Sequence, residues 1–147
     1  MVETPLRVML SELNEDDERR LAEQWRVARE LVARHCGAEL DHSLTDLDRL
    51  QLLLDLGRLA PTDTYELQCL GVALGAVFTA NVPDFEWAIV DDEFGRDPTI
   101  RRRGTTLQIN VLTQISKRVE RGEKVDVRQL YELGTPEKVR TLVVDLD

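Results

Sequence analysis

The sequence predicts an α+β fold: a mainly helical body of about five helices carrying a small antiparallel meander of two to three strands. Three observations predict it. Apolar residues recur at three- and four-residue spacing from Leu21 to Phe78. The period drops to two at Phe85, Trp87 and Ile89, with Glu86, Ala88 and Val90 between them. Helical spacing then returns at Leu112, Ile115 and Val119. With 147 residues, 42% of them hydrophobic and 32% charged, the chain is sized for a single domain over 1–147 with a real core. No repeat, low-complexity tract or linker divides it.

Residues 1–13 read as irregular, with Val8, Met9, Leu10 and Leu13 able to tuck against the body. Asn14 is an N-cap followed by Glu15, Asp16, Asp17 and Glu18, carboxylates that suit the positive end of a helix. Leu21, Trp25, Ala28, Leu31 and Val32 give that helix its apolar face, and Gly37 is placed to end it. Ser43 or Thr45 would cap a second, leucine-rich helix that stops at Gly57. A third helix opens at Pro61-Thr62-Asp63 and runs to about Ala80. Gly71 and Gly75 lie one turn apart on it, at a propensity cost of about 1 kcal/mol each. Close packing is the compensation, so this is the expected central helix.

The first strand is followed by an expected turn at Gly95-Arg96-Asp97-Pro98, a second strand over Thr99 to Arg103, and a third through Thr105, Leu107 and Ile109. A fourth helix begins near Val111 and stops at Gly122. Asp126 with Gln129 resembles a capping box for a short element ending at Gly134, and the tail from residue 136 is ambiguous between helix and strand.

Composition excludes several functions. A net charge of −9 disfavours binding to a phosphate backbone and favours a basic partner. Cys36 and Cys69 read as reduced thiols, and the N-terminus lacks the basic start and apolar run of a signal peptide, which sets the expectation of a cytoplasmic protein. The longest apolar stretch, Cys69 to Ala80, falls short of the about 20 residues a membrane span needs. No serine stands in a G-x-S-x-G elbow. His35, Cys36 and His42 match no zinc spacing. The alternation of Asp91, Glu93, Gly95 and Asp97 fails the calcium-loop test, because Arg96 occupies the obligatory glycine position. No catalytic residue, metal ligand or cofactor is therefore expected.

What stands out is the density of opposite charge around the expected turn. Asp91, Asp92, Glu93, Arg96, Asp97, Arg101 and Arg103 are the candidate binding residues. They are equally able to pair with one another, at about 0–1 kcal/mol for each exposed pair. From residue 44 to 133 the chain resembles a bacterial family of domains of unknown function. The likeness rests on Leu47-x-x-Leu50-Gln51, on Glu66-Leu67-Gln68-x-Leu70-Gly71-Val72-Ala73-Leu74-Gly75 and on Trp87-x-x-x-Asp91-x-x-x-Gly95-Arg96-Asp97-Pro98. It continues with Gly104-Thr105, Ile115-Ser116-Lys117-Arg118-Val119-Glu120-Arg121-Gly122-Glu123 and Val125-Asp126-Val127. The resemblance implies a bacterial origin and a defined fold, with no activity attached.

These observations favour a non-catalytic, cytoplasmic protein-binding module, of the kind that serves as an immunity-type inhibitor of a basic toxin. The alternatives are a small enzyme or anionic-ligand binder that uses residues 91–103 in a pocket beside Trp87, and a structural homodimer joined through the Gly71 and Gly75 groove. The chain is expected to be a monomer or homodimer.

Overall fold

A computed structural model describes residues 9–93, 95–105 and 107–135. It has the α+β architecture with a mainly helical body. In chain order the elements are β1 (Met9–Ser11), α1 (Glu15–Cys36), α2 (Thr45–Asp55), α3 (Thr64–Asn81), β2 (Phe85–Asp92), β3 (Gly95–Arg102), β4 (Gln108–Ile109), α4 (Val111–Glu120) and α5 (Val127–Leu133). The sheet has four antiparallel strands in the order β1-β2-β3-β4.

Local chemistry sets the helix ends. Asn14 accepts from the Asp17 N–H at 2.8 Å while Asp17 accepts from the Asn14 N–H at 2.9 Å, a reciprocal cap. Gly37 closes α1 in the left-handed region at φ 63°. Asp126 accepts from the Gln129 N–H at the start of α5. At α2 the expected Ser43 or Thr45 cap is corrected: Leu44 holds the cap position with no side-chain bond. Instead Asp46, only 1% exposed, turns back to accept the N–H groups of Asp41 and His42 and the Arg49 guanidinium. This holds His42 at φ 69°, a left-handed conformation that few non-glycine residues adopt.

α3 is buried from Leu67 to Phe78 apart from the half-buried Gln68, and every other helix packs on it or on its neighbours. Its two glycines admit close approach from within the chain. A Cβ at Gly71 would stand 2.6 Å from the carbonyl oxygens of Val111 and Leu112, and one at Gly75 would stand 2.3 Å from the Trp87 ring. The start of α4 and the Trp87 side chain therefore fill the surface on which a glycine-groove dimer would form.

Two strand expectations need correction. Residues 1–13 are not irregular throughout, because Met9–Ser11 pairs with β2 in the register Met9↔Asp91 to Ser11↔Ile89; residues 1–8 lie outside the described residues. The segment Gly95-Arg96-Asp97-Pro98 is strand rather than turn, with Asp92 opposite Gly95 and Ile89 opposite Pro98. Pro98 is tolerated because β4 reaches only Ile100 and Arg101 and leaves the edge beside Pro98 unpaired. The tail from residue 136 also lies outside the described residues.

Candidate functional site

The charges of the hairpin β2–β3 are mostly engaged with each other and with α1. Arg96 reaches Asp17 of α1 at 2.7 Å and Asp91 across the hairpin at 3.1 Å. Arg20 of α1 donates to the Arg96 carbonyl at 3.0 Å and to Asp97 at 3.3 Å. Arg101 and Arg103 converge on Glu86, at 2.6 and 3.2 Å. The Arg96 guanidinium holds the Asp17 carboxyl below its ordinary range, assisted by the Asn14 N–H. Arg101 and then Arg103 do the same to Glu86. Asp92 and Glu93 sit at the strand end. The structure thus brings together Asp91 with Arg96, and Arg101 with Arg103 on Glu86, as ion pairs among the described residues.

A concave surface does lie beside Trp87, and none of the candidate charges lines it. It is an open groove of about 460 Å³ between α1, α3 and β2. One wall is an α1 stripe at helical spacing, Glu18, Leu21, Ala22 and Trp25. The facing wall is Val72, Ala76, Thr79 and Ala80 of α3, and Trp87, Leu13 and His42 complete it. The small residues of α3 keep this wall low, and Gly75 lets the edge of the Trp87 ring close onto the helix.

Trp25 and His42 meet edge-on with ring centres 4.8 Å apart, and the Arg29 guanidinium lies 5.8 Å over the Trp25 ring. The Trp25 indole N–H is buried with no hydrogen-bond partner among the described residues. An unmet buried donor costs about 1–3 kcal/mol. His42 adds a strained backbone at the same place, braced by Asp46 and by the Asn81 amide, which donates to the His42 carbonyl at 2.8 Å. Two unfavourable local features thus meet at this groove.

Sequence spacing sets Trp25 on the apolar face of α1 and Trp87 on the alternating strand β2, and does not bring them together. The helical stripe Glu18, Leu21, Ala22 and Trp25 was a visible signal. Its partners Val72, Trp87 and His42 were not, since each comes from a distant segment.

The thiols are poor nucleophiles. Burial pushes the Cys69 thiol up to about 11, and burial also raises Cys36. Among the described residues no group of three or more His, Cys, Asp or Glu side chains is placed to hold a metal. No helix among them is long and apolar enough to cross a membrane.

A family model described as a domain of unknown function, DUF3806, matches residues 46–131, more than half of the chain. The chain belongs to the DUF3806 family. The match begins inside α2 and runs into α5, so β1 and α1, and with them one wall of the groove, fall outside the part that defines DUF3806. No curated protein matches this DUF3806 chain. A crystal structure of a protein from Bacteroides thetaiotaomicron VPI-5482 shares its fold, with a TM-score of 0.79 at 18% identity over 86% of this chain. This chain spans only 46% of that one.

Proposed function

We propose that this DUF3806 chain is a non-catalytic protein-binding module that receives its partner in the groove between α1, α3 and β2. One observation carries the reading: both tryptophans of the chain line a single open, largely apolar groove. Tryptophan is the side chain most often found at the energetic centre of a protein interface, because it presents a large rigid surface at small entropic cost. The unmet Trp25 donor and the strained His42 support it, since the fold carries two costs there that packing alone does not explain. The raised thiol pKa values and the mutual pairing of the hairpin charges support a non-catalytic role.

The reading extends to an immunity-type inhibitor working in the cytoplasm against a basic toxin. A net charge of −9 would speed encounter with such a partner. Photo-crosslinking in the native host tests the binding role. A crosslinker at Thr79, in the groove, is expected to give one stoichiometric protein adduct, and the same group at Glu120 on α4 is expected to give none. Equal adducts from both positions, or none from Thr79, would refute it.

A further inference from the structure

The groove has a charge polarity that selects among partners. Its α1 wall begins with Glu18, which lines the groove; Glu15 stands one turn before it on α1, and Glu12 lies in the segment that leads from β1 into the helix. All three are exposed, and none forms an ion pair among the described residues. Their neighbours differ: Asp16 is engaged by Arg19 and Asp17 by Arg96. The arginines nearest this end, Arg19, Arg20 and Arg96, are thus committed to other carboxylates. At the opposite end of the stripe the cation is internal, because Arg29 lies over Trp25 and is held by Glu39 at 3.2 Å. Apolar walls therefore lead from an acidic mouth to an aromatic floor.

Resting on the protein-binding reading, we infer that the occupant is a basic amphipathic segment of the partner. One apolar side chain seats between Trp25 and Trp87, and Lys or Arg one or two turns away meets Glu18 and Glu15. A neutral or acidic segment would strand these carboxylates beside an apolar surface, which disfavours it. A basic segment pairs with them without competing with an internal arginine.

The two tryptophans report occupancy directly. The full-length chain is titrated with an amphipathic Leu/Lys peptide that contains no aromatic residue, and with the same peptide carrying Glu at every Lys position. Tryptophan emission is expected to shift to the blue with the Lys peptide and to stay unchanged with the Glu peptide. Ala22→Phe, at an exposed position of the α1 wall, is expected to fill the groove and weaken the Lys peptide about tenfold or more, with an unchanged circular dichroism spectrum. Glu18→Gln is expected to weaken it by about threefold to fivefold, with the effect disappearing at high salt.

Equal binding of the two peptides, or indifference to Glu18→Gln, would overturn the basic occupant and leave the protein-binding reading standing. Binding that Ala22→Phe does not weaken, or no emission change with either peptide, would remove the groove itself as the receiving surface. A blue shift that grows with protein concentration alone would replace the partner by a second copy of the chain.

Discussion

Replacing Gly71 by alanine separates packing from propensity within α3. The added Cβ would stand 2.6 Å from the carbonyl oxygens of both Val111 and Leu112, where ordinary contact begins at 3.4 Å. Those atoms are backbone at the start of α4, so the helix must retreat by about 0.8 Å, and overpacking of this kind costs about 1–3 kcal/mol. Because those atoms are backbone rather than the end of a flexible side chain, the cost falls in the upper part of that range, about 2–3 kcal/mol, and after the about 1 kcal/mol of helix propensity that alanine returns a net loss of about 1–2 kcal/mol remains. At this chain length that lowers Tm by about 2–8 °C. Gly75→Ala gains the same propensity, but its Cβ meets the Trp87 ring at 2.3 Å, a half-buried side chain that faces the groove and has room to swing. Gly75→Ala is expected to cost less than Gly71→Ala and to change the tryptophan emission, which Gly71→Ala leaves nearly unchanged. Urea unfolding followed by circular dichroism, with emission spectra of the native proteins, checks both. A Gly71→Ala chain as stable as the parent, or the reverse order of stability, would refute the packing assigned to the two glycines.

Four further perturbations follow from the same contacts. Asp46→Ala leaves the Asp41 and His42 N–H groups and Arg49 without their buried acceptor and is expected to cost about 3 kcal/mol in urea unfolding, with Asp46→Asn between it and the parent. Gln51 donates to the Val125 carbonyl and accepts from the Val127 N–H, both at 3.0 Å or less, so Gln51→Ala is expected to lose about 1–3 kcal/mol and amide protection at Val127. Asp41 is held at about 2, below its ordinary 3.8, by Ser43 first and Arg49 after it. Its contribution is complete above pH 3.8 and is lost as the pH falls toward 2, so the acid unfolding curve of Asp41→Asn is expected to be flatter through that window. Arg96→Ala removes partly exposed pairs worth about 0–1 kcal/mol each, so global stability barely changes while hydrogen exchange at the start of α1 rises.

What the sequence displays is whatever depends on near neighbours. The Asn14 cap, the Gly37 stop and the Asp126 cap each close within four residues, and the burial of α3 follows from an apolar surface on all sides. β1 is different. Its three residues carry no alternation of their own and become a strand only because Asp91, Val90 and Ile89 offer an edge. The start of β3 is hidden for a related reason: Gly95 to Pro98 has turn chemistry, and only pairing along β2 makes it extended. Asp46 stands in the first turn of α2 with Asp48, three residues after Ser43, and nothing in that spacing shows that it folds back onto the N–H groups of residues 41 and 42.

The clasp and the groove share one helix, which on the proposed binding role ties the charged hairpin to recognition indirectly. Asp17 and Arg20 fasten α1 to β3 through Arg96 and Asp97, on the turns of α1 that also present Glu18 and Leu21 to the groove. Since exposed pairs add little to global stability, their main physical effect is to fix where α1 stands relative to β2. That distance sets the separation of Trp25, carried by α1, from Trp87, carried by β2. An aromatic pair grips a side chain only when the gap matches it, so a set of weak ion pairs at one end of α1 can govern affinity at the groove while contributing little to folding. On the proposed binding role, dense opposite charge on the hairpin is a positioning device for a neighbouring apolar surface, and among the described residues Glu15 and Glu18, on the α1 side, are carboxylates that the hairpin arginines do not engage.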